Sequence, residues 1–152
     1  MDLLSSFFKH WKERRVPLYQ LLEAINSEHL SYSPAPRFSS LGKQLRHLAD
    51  VQEVYQLALV EGAVDFKRKR KDITEESDKE RLKARFIELD DALQEWLQIF
   101  QGDALSYTIR WGDSDIPLLD HLAGLLEHEA WHQGALAVYQ ACGGFGSYGI
   151  NT

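Results

Sequence analysis

Apolar residues recur at helical spacing along four stretches of the chain. Residues 2–26 place Leu4, Phe8, Trp11, Leu18, Leu22 and Ile25 three, four or seven apart, which puts them on one helix face. Pro17 falls inside that stretch and removes one backbone donor, so a kink or local break is expected there. The second stretch runs from Ser40, a suitable N-cap, to Glu61, with Leu41, Leu45, Leu48, Val51, Tyr55 and Leu59. The third covers 75–101 with Leu82, Phe86, Leu89, Leu93, Trp96 and Phe100. Thr74 can cap it, and Glu75 and Glu76 suit the positive end of the helix dipole. The fourth runs from about Ile116 to Cys142, after Ser114 and Asp115. Pro117 then lies in the first turn, where its missing N–H costs little.

Gly62, Gly102 and Gly143 each follow a periodic segment, at the place where a left-handed residue closes a helix. No run alternates long enough for a sheet, and only "SYTIRW" (106–111) has the character of a segment that pairs briefly. The pattern therefore predicts one all-α domain over residues 1–152, a four-helix bundle, with 143–152 as a loose C-terminal tail or a strap over the surface. The connection "AVDFKRKRKDIT" (63–74) spans roughly 40 Å if extended at about 3.3 Å per residue, enough to cross the bundle's length. Its basic run, Lys67 to Lys71, is brief and has only Phe66 as an aromatic neighbour, so it is read as a solvated loop.

Composition narrows the class. Apolar residues at 44% and charged residues at 26% describe an ordinary globular domain. A net charge of -6 argues against nucleic acid or an anionic membrane surface as the main partner. The single cysteine, Cys142, cannot form an internal disulfide. The N-terminus does not resemble a signal peptide, and no apolar run reaches the ~20 residues that span a bilayer. A cytoplasmic protein is expected.

The candidate chemistry lies in "HEAWHQG" (128–134), which spells H-E-x-x-H. Four residues apart on one helix, His128 and His132 share a face and can converge on one divalent ion. A zinc protease needs a third ligand downstream, and no His, Asp or Glu follows His132. The protease reading fails on ligand count. Upstream, His10 and His29 are poorly placed, whereas His47 lies beside the apolar stripe of the second helix. Antiparallel packing of the second and fourth helices brings it to the height of the pair. Three imidazoles leave a fourth position open, as in catalytic rather than structural sites. The competing reading is a set of hydrogen-bonded core histidines. His121, two turns before His128, is too far to share a first shell with His132 and is a core or supporting residue.

"SSLGKQLRHLADVQEVY" (39–55) and "LLEHEAWHQGAL" (125–136) together resemble the DinB/YfiT-like family of metalloenzymes. The shared pattern is S-h-G-x-h-h-x-H (h, apolar) on helix two, completed by H-x-x-x-H, one residue and Gly on the last helix. The resemblance implies an up-down-down-up bundle with a long crossover between helices two and three. It also implies a divalent metal, zinc or nickel, on His47, His128 and His132, and a homodimer. It further implies transferase or isomerase chemistry on a small-molecule substrate with a low-molecular-weight thiol such as bacillithiol, mycothiol or glutathione. Many relatives carry a basic residue directly after the last histidine, where this chain has Gln133, and this departure counts against thiol use.

Within that frame the leading expectation is a thiol-dependent S-transferase. Lys43 and Arg46 are candidate cations for the thiol, and Trp131, Tyr55 or Tyr139 lies near the substrate. Trp131 is read more as an interhelical packing residue than as part of a pocket mouth. The alternatives are a metal-dependent hydrolase with Glu129 as catalytic base, or a non-catalytic metal-binding or interaction bundle. Glu129 by itself reads more readily as a solvated or salt-bridged surface residue.

Overall fold

Four helices form where the apolar stripes place them. The computed structural model describes residues 2–68, 72–100 and 102–145, with α1 over Leu3–Ala24, α2 over Leu41–Glu61, α3 over Lys79–Leu97 and α4 over Leu118–Gly143. Short polar side chains start the first three: Asp2 accepts from the Ser5 N–H, Ser40 from Lys43 and Asp78 from Arg81. Gly62 closes α2 in the left-handed conformation, with φ 79°.

Several boundaries differ from the sequence reading. The first helix continues through Pro17 as one element. Close to the proline, the Arg14 carbonyl accepts a bond from the Gln133 side chain on α4 (2.6 Å), so a neighbouring helix adds a polar contact at the weakened turn. Thr74 does not cap α3. Thr74–Ser77 forms a separate 3₁₀ turn, and Asp78, with extended backbone, restarts the chain as the true cap. The third helix stops at Leu97, short of Gly102. Thr108–Trp111 pairs with Ser114–Pro117 as an antiparallel hairpin (β1 and β2), so residues expected to open the fourth helix belong to a strand. Gly112, with φ 56°, makes this two-residue turn feasible. The last helix is closed by Gly144 (φ 69°) rather than Gly143. Phe145 beyond it is buried, so residues 143–145 are not loose; the remainder of the expected tail, 146–152, lies outside the described residues.

Cross-helix contacts give the topology. Tyr55, His47 and Gln44 of α2 meet His121, His128 and His132 of α4 in reversed order, so these two run antiparallel. Trp11 and Tyr19 of α1 reach Asp90, while Ile25 reaches Lys79, so α1 and α3 are antiparallel too. Asp50 and Gln56 of α2 meet Arg85 and Leu89 of α3 in the same order, which makes that pair parallel. The bundle is therefore up-down-down-up, with the crossover between α2 and α3.

Two apolar clusters fill the interior, one around Leu18, Leu22, Leu45, Leu82, Phe86 and Leu136, the other around Trp11, Ala58, Leu93, Leu118 and Leu122. At mid-height the core is polar. Arg15 lies between the rings of Trp11 and Phe86, 4.7 Å from each centroid. It hydrogen-bonds Gln52 and stands 3.4 Å from both Asp90 and Glu129. Gln52 passes the network to Asp90 (2.9 Å) and Gln56 (2.7 Å), so all four helices contribute.

The crossover is fastened by charge. Buried Arg85 pairs with Asp50, Glu53 and Glu75, and Arg46 pairs with Glu76 at 2.8 Å. Of the basic run, Lys67 and Arg68 lie in an exposed 3₁₀ turn and Arg68 pairs with Glu61, while residues 69–71 lie outside the described residues. Gly42 lets the crossover sit directly on α2, because a Cβ there would stand 1.9 Å from the Glu76 carbonyl oxygen. Gly42→Ala is accordingly expected to lose about 1–3 kcal/mol or more through forced backbone movement, against the small gain alanine brings to an open helix site. A thermal melt checks this, and unchanged stability would show that the crossover yields freely.

Candidate metal centre

The site is assembled from two helices. Capped at Ser40, α2 presents Gln44 and His47 one turn apart; α4 presents His128 and His132 at i, i+4. Antiparallel packing brings these together at one height. The ligand-capable atoms of His47, His128 and His132 all lie within 4.8 Å of one another, the one such group of three among the described residues. His128 Nε2 is 3.3 Å from His47 Nε2. Two nitrogens bound to one tetrahedral zinc at about 2.0–2.1 Å are separated by about 3.3 Å, so this pair already has the spacing a shared ion needs. All three rings are partly buried, which leaves the cluster reachable from solvent.

The chemistry of the donor set agrees. Ligation requires neutral imidazole, and burial holds His132 below the usual imidazole range. His132 Nδ1 lies 3.2 Å from the Gln44 amide oxygen, which leaves Nε2 for a ligand role. These three residues thus fit a divalent ion by spacing and by donor type.

A model of the DinB superfamily matches residues 10–136, a span that includes all three histidines. The chain belongs to the DinB superfamily. A DinB-like protein from Bacillus subtilis shares its fold with TM-score 0.76 and 19% identity, over 95% of this chain and 96% of that one. A second, from Bacillus cereus, has TM-score 0.72 and 20% identity over 97% of both chains. No curated protein matches this chain.

Other residues of this DinB bundle fall into place around the centre. His10 is exposed beside Glu13, and His29 accepts the Asn26 N–H in a capping box, so neither approaches the cluster. Fully buried His121 is a core residue. Its Nδ1 accepts from the Trp111 indole (3.0 Å) and its Nε2 donates to the Tyr55 carbonyl (2.9 Å), which fixes one neutral tautomer. Tyr55 packs against that ring, and Tyr139 is buried with its hydroxyl donating to the Ser39 carbonyl.

Trp131 contradicts its expected packing role, being 78% exposed, because position 131 faces outward from α4. Nor is Glu129 a surface residue. It is buried, paired with Arg15 and hydrogen-bonded by Gln133 (2.9 Å), and burial pushes its carboxyl up while Arg15 opposes the shift. Both Glu129 and Gln133 lie about 100° around the helix from the preceding histidine, at 3.6 residues per turn, and so point to the polar core. The sequence reading missed Gln44; its position three before His47, on the same helix face, was the available signal.

The buried neutral His121 makes stability depend on pH. Burial lowers its folded pKa, whereas the unfolded chain titrates at about 6.5. Stability from the neutral ring is therefore fully present above the unfolded value and is lost as pH falls through the folded one. Urea melts at about pH 7.5 and about pH 5.5 should show a larger loss for the wild type than for His121→Gln; equal losses would contradict this assignment.

Proposed function

We propose that this DinB protein is a divalent-metal-dependent enzyme, in which His47, His128 and His132 hold zinc or nickel and an open position receives a small thiol as co-substrate of an S-transfer reaction. The convergence of three imidazoles from two helices, with one nitrogen pair at 3.3 Å, carries the reading. A bound ion would supply Lewis acidity and lower the pKa of a thiol presented to it.

The chain's own residues shape what else can happen there. Arg46 is committed to Glu76 and Asp50, so it offers no free charge to an anionic co-substrate. Lys43 is exposed and stands one turn before His47 on the same face, which leaves it to steer a carboxylate-bearing thiol. The hydrolytic alternative loses its base, since the Glu129 carboxylate is engaged by Arg15 and Gln133 within the core.

Metal analysis of purified wild type should find about one ion per chain, reduced strongly in His47→Ala, His128→Ala and His132→Ala. Unchanged content in all three variants would sink the site. Rates with an electrophile should then rise on adding bacillithiol, glutathione or mycothiol, and indifference to all three would remove the transferase reading while leaving the metal.

A further inference from the structure

We infer that Gln44 is a positioning residue for the metal centre, holding His132 in the tautomer that keeps the Nε2 lone pair available for an ion shared with His47 and His128. The inference rests on the metal reading above. A neutral imidazole carries one N–H, and only the other nitrogen has a lone pair for a metal. His132 Nδ1 faces the Gln44 Oε1 at 3.2 Å, so the proton resides on Nδ1 and the lone pair on Nε2. The amide is itself oriented, because Gln44 Nε2 donates to the Ser39 hydroxyl at 2.7 Å. Ser39 in turn is tied to the ligand helix, as its carbonyl accepts the Tyr139 hydroxyl at 2.6 Å.

The chain Tyr139–Ser39–Gln44–His132 thus leaves α4, crosses to the entry of α2 and returns to α4 two turns earlier. It fixes the rotation of one ligand ring by groups that touch no metal. Second partners of this kind sharpen ligand orientation and basicity, and their removal typically lowers metal affinity about 10–100-fold.

Zinc affinity measured by competition with a chromophoric chelator tests this on wild type, Gln44→Ala and Gln44→Glu. Loss of the acceptor in Gln44→Ala should weaken zinc about 10–100-fold, while Gln44→Glu, which keeps an oxygen toward Nδ1–H, should bind as tightly as wild type or more so. Long-range nitrogen NMR of the metal-free proteins should show His132 protonated on Nδ1 in wild type and Gln44→Glu, shifting toward Nε2 in Gln44→Ala. Wild type that binds zinc with an unweakened Gln44→Ala, or with Gln44→Glu as weak as alanine, overturns the role of Gln44 alone. Wild type that binds no zinc overturns the metal reading, and this inference falls with it.

Discussion

Zinc or nickel added at about one hundred times its dissociation constant should stabilise the wild-type protein by about 2.7 kcal/mol, through preferential binding to the folded state. For a domain of this size that corresponds to roughly 5–11 °C in Tm. The increment should vanish in His47→Ala, His128→Ala and His132→Ala. All three rings are partly exposed and sit on helix faces rather than in the apolar clusters, so truncation opens no large core cavity. Metal-free variants should therefore melt close to metal-free wild type. That contrast separates lost ligation from lost folding. Retention of the full increment in every variant would place the ion, if bound, elsewhere.

Arg15→Met should cost about 3–5 kcal/mol, or roughly 6–20 °C in Tm. Methionine fills much of the space between Trp11 and Phe86, so the loss is mainly electrostatic. Removing the guanidinium leaves the Glu129 and Asp90 carboxylates near the axis of the bundle without their shared cation. Glu129 is fully buried and suffers most, whereas Asp90 keeps Trp11, Tyr19 and Gln52. Adding Glu129→Leu to Arg15→Met should recover part of the loss, because the stranded charge is then gone. A double variant as unstable as the sum of the two singles would show that the pair is not coupled.

The histidine cluster and the polar core occupy neighbouring faces of the same helix. His128 and His132 look toward α2, and Glu129 and Gln133 look toward Arg15 and the Arg14 carbonyl. One seven-residue motif thus serves two purposes, with the helical turn dividing them. The glutamate that makes the motif look proteolytic belongs to the packing of the bundle. Among the described residues no helix is long and apolar enough to cross a membrane.

Periodicity, ligand spacing and some of the caps are local properties, and those were legible in the chain by itself. The four helices, the Ser40 cap, Gly62 as the stop of α2 and the trio His47, His128 and His132 all follow from spacings within a turn or two, plus one assumption about antiparallel packing. Tertiary structure decided the rest. A residue's burial depends on what lies across from it, so Glu129 read as a surface charge until Arg15 of another helix was seen to meet it. Trp131 likewise read as a packing residue although its side of α4 is exposed among the described residues. The restart at Asp78 and the β-hairpin depend on where the crossover and Gly62 come to rest, since Arg110 pairs with the chain just after α2. The same holds for Gln44, which became a partner of His132 only when two segments some ninety residues apart packed together.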